Sequence, residues 1–235
     1  MDRSSRLFIP NNASGFSLLE LIMVVALSGL ISGAAYAFYN SQIKTRVTQD
    51  RVVDMQQNIR SAMLIMGDDI RMAGYDPMGV TGAAITLASA DALSFSMGLD
   101  GDANGMDDDG DGTVDEADEA PLTESISYTL ADMDSDGDQD IFRGLNGGAG
   151  VMIAENVEAW EFNYVLSDGS FESAPSDASD IIAVRVALLM RASRPDAEFT
   201  NRSTYAGYTR TWGPYNDGYR RRLLRRTIRC RNRGL

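Results

Sequence analysis

The chain has 235 residues, which is enough for one or two domains with a hydrophobic core. Its net charge of −13 is local, because 16 acidic residues and no Lys or Arg lie between positions 100 and 140. The sequence has no histidine and one cysteine, Cys230, which excludes Ser-His and Cys-His catalytic pairs and an internal disulfide. Any metal site must therefore use oxygen ligands.

An apolar stretch from Phe16 to Tyr39 contains a single charged residue, Glu20. A helix of this length reaches about 36 Å, which is enough to cross a bilayer core of about 30 Å. A polar segment, residues 1–15, comes before it, so the order differs from that of a secretory signal peptide. A cut after Gly15 would keep the apolar helix in the mature chain. Arg3 and Arg6 favour a cytoplasmic N-terminus.

Glu20 is unusual because a carboxylate inside a membrane helix costs roughly 2.5–3.5 kcal/mol on insertion scales. One interpretation is that it lies near the helix end and reaches the interface. The other is that it pairs with a cation in the apolar layer. A cut between Gly15 and Phe16 would create such a cation, the α-amine of Phe16, in the same chain or in a neighbour.

Residues 15–30, GFSLLELIMVVALSGL, resemble the N-terminal signature of type IV prepilins and of type II secretion pseudopilins. The resemblance implies that a prepilin peptidase cuts after Gly15 and methylates the new N-terminus, Phe16. It also implies that Glu20 pairs with the N-terminal amine of an adjacent subunit during assembly.

The helical pattern continues beyond the apolar stretch. Apolar residues recur at spacings of three or four: Val52, Met55, Ile59, Ala62, Met66, Ile70 and Ala73. Gly74 followed by Asp76 and Pro77 predicts the end of the helix near Ala73. We therefore expect one helix, with a membrane or filament-core half over residues 16–39 and an amphipathic half over residues 40–74.

After Pro77 the periodicity changes to the alternation that is typical of strands. Alternating segments occur around Leu93, Ile126, Trp160 and Val184, and the Arg-rich C-terminus resembles a further, weaker strand. The connections are mostly short, which favours antiparallel pairing. The predicted fold class is α+β: a long N-terminal helix packed on an antiparallel sheet domain, residues 75–235.

The order of the segments after the helix resembles that of PilW-type minor pilins, with the GspJ-type pseudopilins as relatives. This resemblance implies a single-pass protein of the bacterial inner membrane, with a periplasmic globular domain, that later joins the pilus at the cell surface. The implied partners are prepilin peptidase, other minor and major pilins and the inner-membrane assembly platform. The implied role is to help initiate or cap a pilus.

The acidic region contains two stretches with the spacing of oxygen ligands in a calcium loop, residues 100–119 and 132–140. The predicted ligands of the first are Asp107, Asp109, Asp111, Thr113 through its carbonyl, Asp115 and Asp118. Glu116 or Glu119 is an alternative to Asp118, and a second register begins at Asp100. The predicted ligands of the second are Asp132, Asp134, Asp136, Asp138 through its carbonyl, and Asp140. Many flexible carboxylates favour calcium over magnesium, and a solvated acidic loop is the simpler alternative.

Eight arginines lie between Arg220 and Arg233, and their simplest interpretation is a solvated face. Nucleic-acid binding is not expected, since the acidic chain as a whole repels phosphate. We expect no enzymatic activity, because no nucleophile motif occurs. The leading hypothesis is a type IV minor pilin stabilised by calcium. The alternatives are a GspJ-like pseudopilin of a type II secretion system and a membrane-anchored, calcium-dependent binding module.

Overall fold

A computed structural model of the chain describes residues 15–76, 81–98, 123–133, 135 and 137–231. They form one long helix, ten strands and a short 3₁₀ turn at Ala178–Asp180. The helix α1 spans Leu18–Met72. The strands are β1 (Ile85–Ala88), β2 (Leu93–Gly98), β3 (Thr123–Ala131), β4 (Gln139–Leu145), β5 (Val151–Leu166), β6 (Phe171–Glu172), β7 (Ile181–Arg191), β8 (Tyr205–Ala206), β9 (Thr211–Trp212) and β10 (Arg221–Arg229).

The chain divides into two compact units, one ending at residue 48 and the other beginning at residue 49. In the described part of the first unit the chain is helical from Leu18 onward, as predicted. The second unit contains the rest of α1 and all ten strands.

The second half of α1 buries the predicted apolar stripe. Met55, Ile59, Ala62, Met66 and Ile70 are each 6% exposed or less, and they pack with the helix-facing residues of the sheet in one core. Burial of a large aliphatic side chain contributes about 1.5–3 kcal/mol each. The helix is thus part of the core of the second unit.

Seven strands form an antiparallel sheet in the order β1-β2-β3-β4-β5-β7-β10, and β6 pairs with β5 as an eighth member. From β1 to β5, strands that are neighbours in the sheet also follow one another in the chain. Their connections are short except for the one between β2 and β3, which comprises residues 99–122. In β7, Val184, Val186 and Leu188 face the helix, as their alternation predicts. The fold is therefore the predicted one, a long helix packed on an antiparallel sheet.

The sequence analysis did not identify β1 or β4. Strand β4 begins within the second acidic stretch and ends in a two-residue turn at Asn146 and Gly147. Both residues have positive φ, 49° and 71°, and the N–H of Gly148 donates to the carbonyl of Leu145 at 2.8 Å. This conformation matches the twist of an antiparallel hairpin and favours Asn-Gly. The turn at Asn146 and Gly147 is the tip of the β4–β5 hairpin, and the strands on its two sides pair with each other.

The turn between β8 and β9 covers the face of the sheet that is opposite to the core residues Trp160 and Phe162. Glu161 of β5 is fully buried there and accepts hydrogen bonds from the backbone N–H groups of Tyr208 and Thr209 at 2.7 and 2.8 Å. The guanidinium of Arg185 lies 3.8 Å from the ring centroid of Tyr208. The buried carboxylate fixes the turn between β8 and β9 on the sheet, because it satisfies two backbone donors at once.

Asp69 joins α1 to two strands. Its carboxylate accepts two hydrogen bonds from Arg143 of β4, at 2.6 and 3.2 Å, and one from the Tyr128 hydroxyl of β3. Burial and the bond to Asp69 raise the pKa of Tyr128, and the hydrogen bond to Asp69 raises the pKa of Arg143. The carboxylate is only 15% exposed, so this pair is shielded more than a surface ion pair. It fixes the angular position of the helix on the sheet.

We expect the substitution Asp69→Asn to destabilise the second unit by about 2 kcal/mol, because Arg143 loses its counter-charge in a partly buried position. For a unit of this size the melting temperature should fall by roughly 4–8 °C. The measurement is thermal unfolding of the full chain in detergent, followed by circular dichroism.

The matched control is Asp68→Asn, one residue earlier on the same helix. Asp68 pairs with Arg71, but its side chain is 60% exposed, so its loss should change stability by about 0.5 kcal/mol or less. Equal melting temperatures for the two variants would contradict a structural role of Asp69.

Candidate assembly and cation-binding sites

The described helix begins directly after the predicted cleavage position. The Ser17 hydroxyl accepts a hydrogen bond from the backbone N–H of Glu20 at 3.2 Å, which is the contact of a helix N-cap. Phe16 is 83% exposed and Glu20 is exposed. The sequence S-x-x-E is a capping-box signature, which the sequence analysis did not use. Glu20 therefore lies in the first turn, where a carboxylate also interacts favourably with the helix dipole.

The first half of α1 leaves its apolar side chains exposed within the described chain. The exposed large side chains include Leu18, Leu19, Leu21, Ile22, Met23, Val24, Val25, Leu27, Leu30, Ile31, Phe38 and Tyr39. An 18-residue window of this helix has a mean hydropathy of 2.1, so the helix is long and apolar enough to cross a membrane. A contiguous exposed apolar surface of this extent marks a region that contacts lipid or other proteins.

The first predicted calcium loop lies outside the described residues. This applies to all six of its predicted ligands: Asp107, Asp109, Asp111, Thr113, Asp115 and Asp118. Their role stays a prediction from the spacing.

The second predicted calcium loop connects β3 to β4, and only part of it is described. Asp132 is exposed and accepts a hydrogen bond from the N–H of Gly137 at 3.3 Å. Asp138 is 8% exposed and pairs with Arg191 at 3.3 Å. Asp140 lies in β4, is 1% exposed, and accepts a hydrogen bond from the N–H of Asn156 at 3.2 Å. Asp134 and Asp136 lie outside the described residues.

Among the described residues, no group of three or more acidic or cysteine side chains is placed to hold a metal ion. The described side chains of the second stretch are engaged in protein contacts, with Asp138 turned to Arg191 and Asp140 to a backbone N–H. The predicted contribution of Asp138 is its backbone carbonyl, which the side-chain pair does not use.

The arginine-rich C-terminus forms β10, and the expectation of a solvated face is wrong for Arg221, the first residue of the strand. The side chain of Arg221 is 1% exposed and pairs with Glu158 at 2.9 Å and Asp217 at 2.6 Å. Its guanidinium also lies 3.7 Å from the ring centroid of Tyr215. The hydrogen bond from Arg221 holds the pKa of Asp217 below its ordinary value. Arg221 thus fixes residues 215–219 to the start of β10.

Sequence reasoning also missed Asp69 and Glu161 as organising residues. Each is a carboxylate within a segment of strong apolar periodicity: Asp69 adjoins Ile70, and Glu161 lies between Trp160 and Phe162. Such a residue is almost never buried without a partner. That rule indicates that a partner exists, but the hydrogen-bond partners lie 47 or more positions away in the chain and are not readable from it.

Two parts of the sequence match known families. Residues 10–36 match the prokaryotic N-terminal methylation motif, and residues 146–232 match the family described as type IV pilus-assembly protein W, PilW. No curated protein sequence shows significant similarity to the chain.

One solved structure with a similar fold is a type IV-like pilin from Thermus thermophilus. It superposes with a TM-score of 0.50 at 16% sequence identity, over 76% of this chain and 98% of that pilin. At this identity the similarity concerns the fold, a long N-terminal helix packed on an antiparallel sheet. The chain thus combines a segment similar to the prokaryotic N-terminal methylation motif, a segment similar to PilW and a fold like that of a type IV-like pilin.

Proposed function

We propose that the chain is a minor subunit of a type IV pilus that assembles through its N-terminal helix and helps to initiate or cap the filament. Prepilin peptidase cuts between Gly15 and Phe16 and methylates the Phe16 amine. The processed chain then remains in the bacterial inner membrane, with the globular unit in the periplasm, until the assembly platform transfers it to other pilins. The match of residues 146–232 to PilW favours a pilus over a secretion system.

The observation that carries the proposal is the contrast between the two halves of α1. The first half exposes large apolar residues all along its length, whereas the second half buries one stripe in the core of its own unit. A helix that served only the fold would not need the first half, so that surface must be covered by lipid or by other helices.

Glu20 is the residue that would favour transfer of the chain from the membrane into the filament. In the membrane a lone carboxylate is costly, and it lies in the first turn of the helix within a few residues of Phe16. The cut end of a neighbouring subunit offers an α-amine at the same depth in the apolar layer. An ion pair between Glu20 and that amine would remove the energetic cost of an unpaired carboxylate. The chain would then be more stable in the filament than in the membrane.

We expect the substitution Glu20→Ala to abolish incorporation while leaving cleavage and membrane insertion intact. The amount of protein in sheared filaments, relative to the membrane fraction, should fall at least tenfold. The measurement is an immunoblot of both fractions from cells that express the variant in place of the natural chain.

The control is Asp50→Ala, which removes an exposed carboxylate from the same helix beyond the apolar half. It should enter filaments at the natural level. A Glu20→Ala chain that enters filaments normally would contradict the assembly role and favour a membrane-anchored binding module.

Calcium binding by the acidic stretches is a second part of the proposal, and it is supported by the spacing of the carboxylates in residues 100–119 and 132–140. Bound calcium would neutralise charges that otherwise repel each other and would stabilise the folded chain by RT ln(1 + [L]/Kd). It would act on structure and not on catalysis.

We expect 5 mM calcium to raise the melting temperature of the full chain by a few degrees over the value in chelator. For a Kd of about 0.1–1 mM the stabilisation is about 1–2 kcal/mol per site. Magnesium at the same concentration should have a smaller effect. The double variant Asp109→Asn/Asp111→Asn should lose the calcium response of the first stretch, and Asp134→Asn/Asp136→Asn that of the second. Identical melting curves with calcium and with chelator would refute the calcium site.

A further inference from the structure

Within the described chain, strand β10 has a long edge with which no other strand pairs. It pairs with β7 over nine consecutive residues, Arg221–Arg229, without a bulge, and it is the last strand in the order of the sheet. The described part of the chain places no strand on its other side. Natural sheets protect such an edge with a short strand, charged side chains, a proline, a bulge or a covering loop. Strand β10 has a regular nine-residue run without proline or bulge, and its arginines are the one such device that it carries.

The register shows which backbone groups face this edge. The N–H of Ala192 donates to the carbonyl of Arg220, and the N–H of Cys230 donates to the carbonyl of Ile182. Hydrogen-bonded pairs alternate with non-bonded pairs in an antiparallel ladder, so the even-numbered residues of β10 bond to β7. The odd-numbered residues direct their N–H and carbonyl groups outward.

The outward-facing residues are accessible. Arg225, Thr227 and Arg229 are exposed, and Leu223 is half-buried. Each of these four residues presents one backbone N–H and one carbonyl at the edge. Together they are enough to pair with an added strand of typical length.

The charges along β10 differ between its two ends. The side chains of Arg220 and Arg221 are matched by Asp196, Glu158 and Asp217. Further along, among the described residues, no acidic side chain pairs with Arg222, Arg225, Arg226, Arg229 or Arg231. Five positive charges within ten residues therefore border the open edge.

The unpaired arginines along β10 favour an acidic partner over a second copy of the same strand. Two copies of β10 laid edge to edge would place arginine against arginine, and like charges on neighbouring strands are destabilising. A strand with carboxylates at alternate positions would gain both the backbone bonds and the charge pairs. The geometry points to the outer edge of β10 as a docking edge for an extended acidic segment of another polypeptide, which adds a strand beside Leu223–Arg229. The inference concerns the globular unit alone and does not depend on the assembly role of α1.

The test measures binding of a nine-residue peptide that alternates glutamate with valine, labelled for fluorescence anisotropy, to the full chain in detergent. The comparison peptide alternates lysine with valine. We expect the acidic peptide to bind at least tenfold more tightly than the basic one, and we expect 500 mM salt to weaken its binding relative to 50 mM.

The informative variant is Thr227→Pro, which removes one outward N–H and leaves the bonds to β7 in place, because Thr227 is an odd-numbered residue. It should weaken peptide binding at least tenfold, whereas the control Thr227→Val should bind within twofold of the natural chain. The double variant Arg222→Gln/Arg229→Gln, which keeps the backbone and removes charge, should also bind at least tenfold more weakly.

Hydrogen exchange gives a readout that does not depend on how well a variant folds. On addition of the acidic peptide to the natural chain, the amides of Leu223, Arg225, Thr227 and Arg229 should gain protection, while those of Leu224, Arg226 and Ile228 should change little because they already bond to β7. Unchanged exchange at the odd-numbered amides, or equal binding by Thr227→Pro, would overturn the proposal of strand addition. Tighter binding of a duplex oligonucleotide than of the acidic peptide would assign the edge to nucleic acid and overturn the proposed partner.

Discussion

The apolar stripe of α1 closes one side of the core of the globular unit, and the rest of that unit depends on it. Side chains from Met55 to Ala73 cover residues of β2, β3, β5 and β7 that would otherwise face water. The Asp69 carboxylate, bonded to Tyr128 and Arg143, fixes which face of the helix is turned to the sheet.

Carboxylates that accept several hydrogen bonds or ion pairs organise the unit at several points. Asp69 joins the helix to the sheet, Glu161 holds the turn between β8 and β9, and Glu158 with Asp217 surrounds Arg221. Asp69, Glu161 and Glu158 each join segments that are distant in the chain. The arginines of β10 therefore serve two purposes: those at its start are counter-charges within the fold, and those further along border an open edge.

The parts of the fold that follow from local periodicity were predictable. The helix, its buried stripe and the strands around Leu93, Ile126, Trp160 and Val184 repeat a pattern that the sequence displays directly. Strand β4 was missed because Asp138 and Asp140 resemble calcium ligands, while in the structure Asp140 is a buried member of β4. The burial of Arg221 was missed because its partners come from β5 and from the turn before β10. Long-range charge pairing has no periodic signature, so only the fold reveals it.

The roles of Gly15, Phe16 and Glu20 stay predictions, and their chemistry is confined to six consecutive residues, from Gly15 to Glu20. The described structure adds the Ser17 cap, which begins the helix just after the position where the mature chain is expected to start. Mass spectrometry of the N-terminal peptide, from protein isolated out of the membrane and out of sheared filaments, tests this account most directly. The account predicts a chain that begins at Phe16 and carries one methyl group on its amine. A chain that keeps residues 1–15 in filaments, or that begins elsewhere, would contradict it.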